Sequence, residues 1–442
     1  MDCPMRRTLI LAFCILKITN AFYLPAYPIE DNERDTARIR MNLPLVRPLV
    51  EAFRLFASSL LSSTVIPSDG INPPSNFRDG NIVFSPMGVS SVLAILRLAA
   101  GGRTRDQLDR LSLFQLPGDV DDSYRTLQNM LFSPVGAYQK NQNNLKSANA
   151  IFFDRELPIS MEFRANAEFY HSALIKSFDF QNFPEESRRD INNWVSKQTR
   201  GYLKELLSRN DVTAGTEIVL ANAVFFLGQW KYAFNTPSTR LSTFTLQDGS
   251  RIQVPMMQQT ALYRHRVSCR KQNKKNSCNS PNAPDIVEIP FKGERRHMVI
   301  MFPNDHFNLE QIQDRFSSEL TQWRLDMVKG HVLLRLPKFR LESEIDLKES
   351  LQDIGLTSLF EQSKADFSRM TSRKIALSTF IHRAVIKVEE SGLTSSAATG
   401  VVGMFRSFFP STRVTVDRPF IFFIEDLPTG AIVFFGRVTD PR

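Results

Sequence analysis

Six histidines, His171, His265, His297, His306, His331 and His382, are scattered along the 442-residue chain. A histidine beside a serine and an acid could run acyl transfer, and one grouped with cysteines could hold zinc. Neither arrangement is written locally. The chain has no Gly-x-Ser-x-Gly elbow, no Gly-rich phosphate loop ending in Lys-Ser/Thr, no Gly-x-Gly-x-x-Gly and no His-Glu-x-x-His. A triad is defined by geometry, so sequence leaves it open, yet no serine stands out as a nucleophile. His382 lies in an apolar, strand-like run, where a histidine is by default a hydrogen-bonded core residue. The residues read as those of a protein that is not an enzyme.

Cysteine and charge give the next chemistry. Cys3 and Cys14 fall in "MDCPMRRTLILAFCILKITNAFYLP", which has a basic start at Arg6 and Arg7, a short apolar stretch, and small residues at Thr19 and Ala21. That is the pattern of a secretory signal over residues 1–21, too short to span a bilayer. Cys269 and Cys278 then remain as an even pair suited to a local disulfide in an oxidising compartment, or to two free thiols. Around them cluster Arg264, His265, Arg266, Arg270, Lys271, Lys274 and Lys275, in a chain of net charge +9. A solvated basic loop is the plain reading, and a polyanion site the sharper one. No aromatics interleave with the lysines, which argues against nucleic acid.

The elements that would carry these residues are legible in outline. Residues 22–43 are mixed and polar and read as a poorly ordered extension before one large domain over 44–442. "LVRPLVEAFRLFASSLLSS" has apolar residues at helical spacing. "NIVFSPMGVSSVLAILRLAAGG" predicts a short strand, then a helix entered at Ser85-Pro86 and ended by Gly101-Gly102, with Thr104 capping the next. "SRRDINNWVSKQTRGYLKELL" predicts an amphipathic helix with Ile191, Trp194 and Val195 on one face. "TEIVLANAVFFLGQW" is apolar enough for a strand covered on both faces. Hairpins are expected around Asp248-Gly249 and Pro428-Thr429-Gly430. Helices dominate the first part and strands the last, the order of an α+β fold.

In this order the chain also carries "NIVFSPMGVSSVLAIL", "SANAIFF", "INNWVSKQTRGYLKELL", "LANAVFFLGQW", "VPMM", "LPKFRLES", "ADFSRM", "IHRAVIKVEESG" and "DRPFIFFIEDLPTGAIVFFGRVTDP". Any one is weak; the series resembles the serpins from about residue 45 to the end. The resemblance implies three β-sheets, about nine helices and an exposed reactive-centre loop, here about residues 390–411. It implies a monomer with no metal or small-molecule cofactor and no membrane, whose partner is an extracellular serine protease trapped covalently. The protease cuts the loop, and the cut loop enters the large sheet as a new strand.

That mechanism explains "GLTSSAATGVVGMFRSFF". A small-residue run alone reads as a flexible linker. In a serpin, Glu390, Ser391, Gly392, Leu393, Thr394, Ser395, Ser396, Ala397, Ala398 and Thr399 would form the hinge. Leu393, Ser395, Ala397 and Thr399 would turn inward on insertion. The family's spacing puts the bait bond sixteen positions after Glu390, at Arg406-Ser407. Arginine there implies a trypsin-like target; Phe405, Phe408 or Met404 are rival cut sites. Ser85, Asn222 and His382 match the polar cluster under the sheet centre, and Trp230 the tryptophan where the hinge enters. Leu393 departs from the small residue usual there, and Gly88 from a serine. Bulk at Leu393 could slow insertion, so the competing reading is a non-inhibitory serpin, a carrier or chaperone-like binder. A further reading adds a sulfated polysaccharide on the basic cluster, Arg264 to Lys275.

Overall fold

Ser85 and Pro86 show how local chemistry sets the architecture. The Ser85 hydroxyl accepts from the Gly88 N–H at 3.1 Å, capping the helix that Pro86 begins. Nearly every residue of that helix is buried. A helix apolar all round must lie inside the protein. This one packs against strands of both main sheets, and the rest of the fold is built around it.

The computed structural model describes residues 33–63, 80–132, 143–268, 283–377, 380–393 and 412–442. The helices among them are α1 (Glu33–Ser63), α2 (Pro86–Ala99), α3 (Gly102–Asp109), α4 (Val120–Phe132), α5 (Met161–His171), α6 (Pro184–Gln198), α7 (Leu309–Leu325) and α8 (Lys348–Asp353). The early strands are β1 (Ile82–Phe84), β2 (Asn143–Asp154), β3 (Ala173–Phe178), β4 (Ile218–Gln229), β5 (Arg240–Thr245), β6 (Arg251–Arg266), β7 (Asp285–Pro290) and β8 (Arg296–Phe302). The later ones are β9 (Val328–Pro337), β10 (Phe339–Asp346), β11 (Ile381–Glu389), β12 (Gly392–Leu393), β13 (Thr412–Thr415), β14 (Phe420–Asp426) and β15 (Ala431–Val438).

One sheet has six strands in the order β10-β11-β12-β4-β2-β3. The other has nine, β1-β15-β14-β8-β7-β6-β9-β13, with β5 also on β6. Strand β6 joins its halves: the start pairs β5, most of its length pairs β9, and the end pairs β7. The expected three sheets are therefore present, two of them sharing β6, and the class is α+β. β14 and β15 are buried at every position, as their unbroken apolar runs require.

Several boundaries differ from expectation. α1 begins at Glu33, so the second part of the stretch read as a poorly ordered extension is helical. Thr104 caps nothing: it sits inside α3, whose N-cap is Gly101, and its Oγ1 accepts from the Asp366 N–H at 3.0 Å. α6 stops at Gln198, and Leu203, Leu206 and Leu207 pack below it without continuing it. The basic cluster needs the largest correction. Arg264 and Arg266 are not in a loop but on β6, at the end that pairs with β7. Arg264 donates to Glu288 at 3.2 Å; Arg266 is fully buried and donates to the carbonyls of Ala283 and Pro284 at 3.1 and 2.9 Å. Arg270, Lys271, Lys274 and Lys275, with Cys269 and Cys278, lie outside the described residues.

Arg264 belongs to a buried ion network. Arg324 stands between Glu288 at 2.8 Å and Glu425 at 2.7 Å, and Arg54 reaches Glu425 at 3.1 Å. Burial pushes the Glu288 carboxyl up, but the Arg324 charge, a bond to His297 and the Arg264 charge outweigh it and hold it at about 2. The network ties α1, α7, β7 and β14. Arg324→Met leaves two buried carboxylates short of a partner and should cost about 3 kcal/mol or more. A urea midpoint at neutral pH that drops accordingly is the expected result; an unchanged midpoint would mean Arg264 and Arg54 suffice alone.

Candidate functional site

Parallel strands β11 and β4 meet through a single cross-strand pair among the described residues, Arg383 with Ala223. Beyond it no pair joins residues 384–387 to 224–227. At the far end β12 wedges in, antiparallel to both. Gly392 and Leu393 pair with Glu389 and Val388 on one side, and with Gln229 and Gly228 on the other. The chain therefore leaves β11, turns at Glu390-Ser391, and starts a new strand between β11 and β4. Leu393, expected on an exposed loop, is 1% exposed and part of the main apolar core.

Gly392 makes this approach possible. Its φ is 139°, and a Cβ there would stand 2.1 Å from the Gly228 carbonyl oxygen. No L side chain fits either condition. The turn before it is held from several sides. Trp230 donates through Nε1 to the Glu389 carbonyl at 2.9 Å and through its backbone N–H to Ser391 at 3.1 Å. Its indole stacks on Phe291 at 4.7 Å. The Phe234 N–H donates to the Glu390 carbonyl at 2.8 Å. The Glu390 carboxylate accepts from Thr239 at 2.8 Å and pairs with Lys338 at 2.9 Å. Burial alone would push that carboxyl up; Lys338 and Thr239 outweigh it and hold the group below the usual range.

A second cluster sits at the middle of the same seam. The His382 Nε2 accepts from the Ser85 N–H at 3.0 Å, and the Ser85 hydroxyl donates to the Val433 carbonyl at 2.7 Å. Asn222 donates to Asn149 at 2.7 Å, which donates on to the His171 carbonyl at 3.2 Å. Gly88 separates the two halves: a Cβ there would stand 2.3 Å from the Asn222 Oδ1. That oxygen and the His382 Nδ1 have no hydrogen-bond partner among the described residues. With glycine in place of a hydroxyl residue, nothing donates to Asn222 from the helix side.

The structure thus gathers Ser85, Asn222 and His382 at one level of the seam, and Trp230 with Glu390, Ser391, Gly392 and Leu393 at another. Thr394, Ser395, Ser396, Ala397, Ala398, Thr399, Arg406 and Ser407 lie outside the described residues. Ser85 and His382 are neighbours but not nucleophile and base, since the imidazole accepts from the amide and the hydroxyl faces a carbonyl. Sequence reasoning missed Lys338, Thr239, Asn149 and Phe291. Lys338 and Asn149 sit inside the motifs "LPKFRLES" and "SANAIFF", but their partners come from distant strands.

Comparison with known proteins agrees with this fold. The family profile described as Serpin (serine protease inhibitor) matches residues 73–441. Plasminogen activator inhibitor 1 of Bos taurus is 34% identical over 370 residues, covering 82% of this chain and 88% of that protein. Glia-derived nexin of Mus musculus is 34% identical over 367 residues, with the same two shares. The crystal structure of native protease nexin-1 with heparin aligns with a TM-score of 0.73 at 30% identity, covering 89% of this chain and 100% of that one.

Two measurements follow from the seam. Burial lowers the His382 pKa to about 4. The unfolded chain binds a proton near pH 6.5 that the native state refuses, so this contribution is complete above that pH and is lost as pH falls toward 4. Thermal unfolding should lose on the order of 3 kcal/mol more in the native protein than in His382→Gln over that window; parallel pH profiles would show that His382 carries none of it. At the hinge end, Leu393→Ser removes about 2 kcal/mol of apolar burial. Nicking after Glu390 by a glutamate-specific protease should then speed up about tenfold or more. An unchanged rate would mean Leu393 does not hold β12 in place.

Proposed function

The chain belongs to the serpin family of serine protease inhibitors, and on that premise we propose that it is a secreted suicide inhibitor of trypsin-like, arginine-cleaving enzymes. The protease's serine attacks the Arg406 carbonyl, the amine of Ser407 leaves, and an acyl-enzyme ester joins the two proteins. The freed segment from Thr394 to Thr399 then follows Leu393 into the seam as the rest of β12. The observation that carries this reading is β12 itself: the strand that must form has already begun, in the gap it must fill. The residues that follow are small, so none of them overpacks the path. The concern that Leu393 slows entry loses force, because Leu393 is inside before any cut.

Secretion rests on the signal-like residues 1–21, and the Cys269–Cys278 bridge follows from that compartment. Nexin-1 was crystallised with heparin. A sulfated polysaccharide on this chain would be left with Arg270, Lys271, Lys274 and Lys275 from the basic cluster, since Arg264 and Arg266 are engaged inside.

Mixing the protein with trypsin should give an SDS-stable complex and release a C-terminal peptide beginning at Ser407, read by mass spectrometry. Arg406→Ala should abolish the complex with trypsin. Complete cleavage without a complex would instead favour the non-inhibitory, carrier-type reading.

A further inference from the structure

None of the strands β5, β6, β9 and β13 contains an aspartate or glutamate. They form one continuous half-sheet, and its arginines and lysine differ in what they meet. Arg264 and Arg266, at the end of β6 that pairs with β7, are engaged by buried Glu288 and partly exposed Asp326. Lys329, Arg335 and Arg413 are exposed. Arg413 pairs across from Leu333, and Thr415 from Arg335, so the alternation of side chains puts Arg413 and Arg335 on the same outer face. Arg335 uses only its Nε, on Gln258 at 2.9 Å. Arg413 meets no acceptor among the described residues. Beside them opens a cleft of about 480 Å³, lined also by Arg418, Thr415, Ser268 and Asn304.

The nearby acids leave this charge largely uncompensated. Asp285, on the cleft floor, accepts from the Ser268 N–H and hydroxyl at 2.8 and 2.9 Å and from Asn304 at 3.3 Å. Asp417 is taken by Arg418 at 2.9 Å. Asp305 stands exposed at the rim and offsets one charge.

We propose that this face is a second contact surface for the target protease, with Arg335 and Arg413 gripping an acidic patch beside its active site. The proposal rests on the bait bond at Arg406. β13 begins at Thr412, six residues later. Six residues of extended chain reach about 20 Å at most, so an enzyme bound at Arg406 stands within reach of the cleft. The chemistry favours a protein over a polysaccharide. The guanidiniums are set on rigid strands around half-buried Leu333 and Leu262, the mixture of arginine and apolar surface that protein interfaces prefer. Arginine's planar fork also matches carboxylate pairs.

The test compares an anionic and a cationic trypsin, which share specificity but differ in surface charge. Inhibition rates are measured for the native protein and for the Arg335→Ala/Arg413→Ala double variant, with retention on heparin followed alongside. At low salt the double variant should trap anionic trypsin about tenfold more slowly, the gap closing as salt is added, while cationic trypsin changes by less than about twofold. Equal losses on both enzymes, or none, would overturn the contact. So would a loss of heparin retention with rates intact, which would give the face to polysaccharide. If the native protein forms no SDS-stable complex with either trypsin, the bait-bond reading fails and this surface falls with it.

Discussion

The single pair between Arg383 and Ala223 is the constraint around which the larger features are arranged. Strands inside a sheet normally satisfy one another's N–H and C=O groups, each bond worth about 1 kcal/mol net. Along this seam β11 and β4 face each other mostly unpaired, and each instead finds its ladder on the outer side, with β10 and β2. A strand entering between them would be hydrogen-bonded on both edges. This gap is what the proposed rearrangement would fill. On that proposal β12 is its first two residues, held in place.

What holds it is a set of contacts from four directions. Trp230 follows β4, Phe291 follows β7, Lys338 precedes β10, and Thr239 precedes β5. Trp230, Lys338 and Thr239 converge on the turn at Glu390-Ser391, and Phe291 backs the Trp230 indole. The Glu390 carboxylate is stabilised in charged form by Lys338 and Thr239, so the turn is fixed electrostatically as well as by burial. At the middle of the seam the ties are polar and incompletely satisfied. His382 and Asn222 each keep a buried atom without a partner. Such groups cost free energy in a packed interior, and they lie where the proposed insertion would part the strands. The seam is firm at its mouth and weakly closed at its centre.

How far this could be read from sequence depended on range. The cap at Ser85-Pro86 and the hairpins at Gly249 and Gly430 are local, and each was legible because turn and cap chemistry is decided within a few residues. Glu390, Trp230, Ser85, Asn222 and His382 were legible only through the family pattern that contains them. Arg264 and Arg266 were misread because a basic run looks the same on a loop as on a strand facing carboxylates. Glu288 and Asp326, which draw them inward, lie tens of residues away in the chain. Thr104 was misread because Gly101 capped the helix first. The burial of Leu393 was not legible at all: its bulk signalled difficulty of entry, and nothing local shows that entry has already happened.

That burial bears on where the driving force for further insertion must come from. Leu393 is the largest residue between Gly392 and Thr399, and its apolar surface is already removed from water. On the proposed mechanism the residues that would face inward after it, Ser395, Ala397 and Thr399, have little apolar area to bury. Their proposed entry would gain chiefly backbone ladder, with small side chains that neither add much burial nor obstruct. Gly88, Gly228 and Gly392 fit the same economy of space, since a Cβ at any of them would meet a neighbour at under 3 Å. The seam is narrow, and is lined so that strand geometry, rather than side-chain packing, decides what enters it. In the proposed insertion a large first residue followed by small ones divides the work: Leu393 fixes the register, and the backbone behind it would supply the energy.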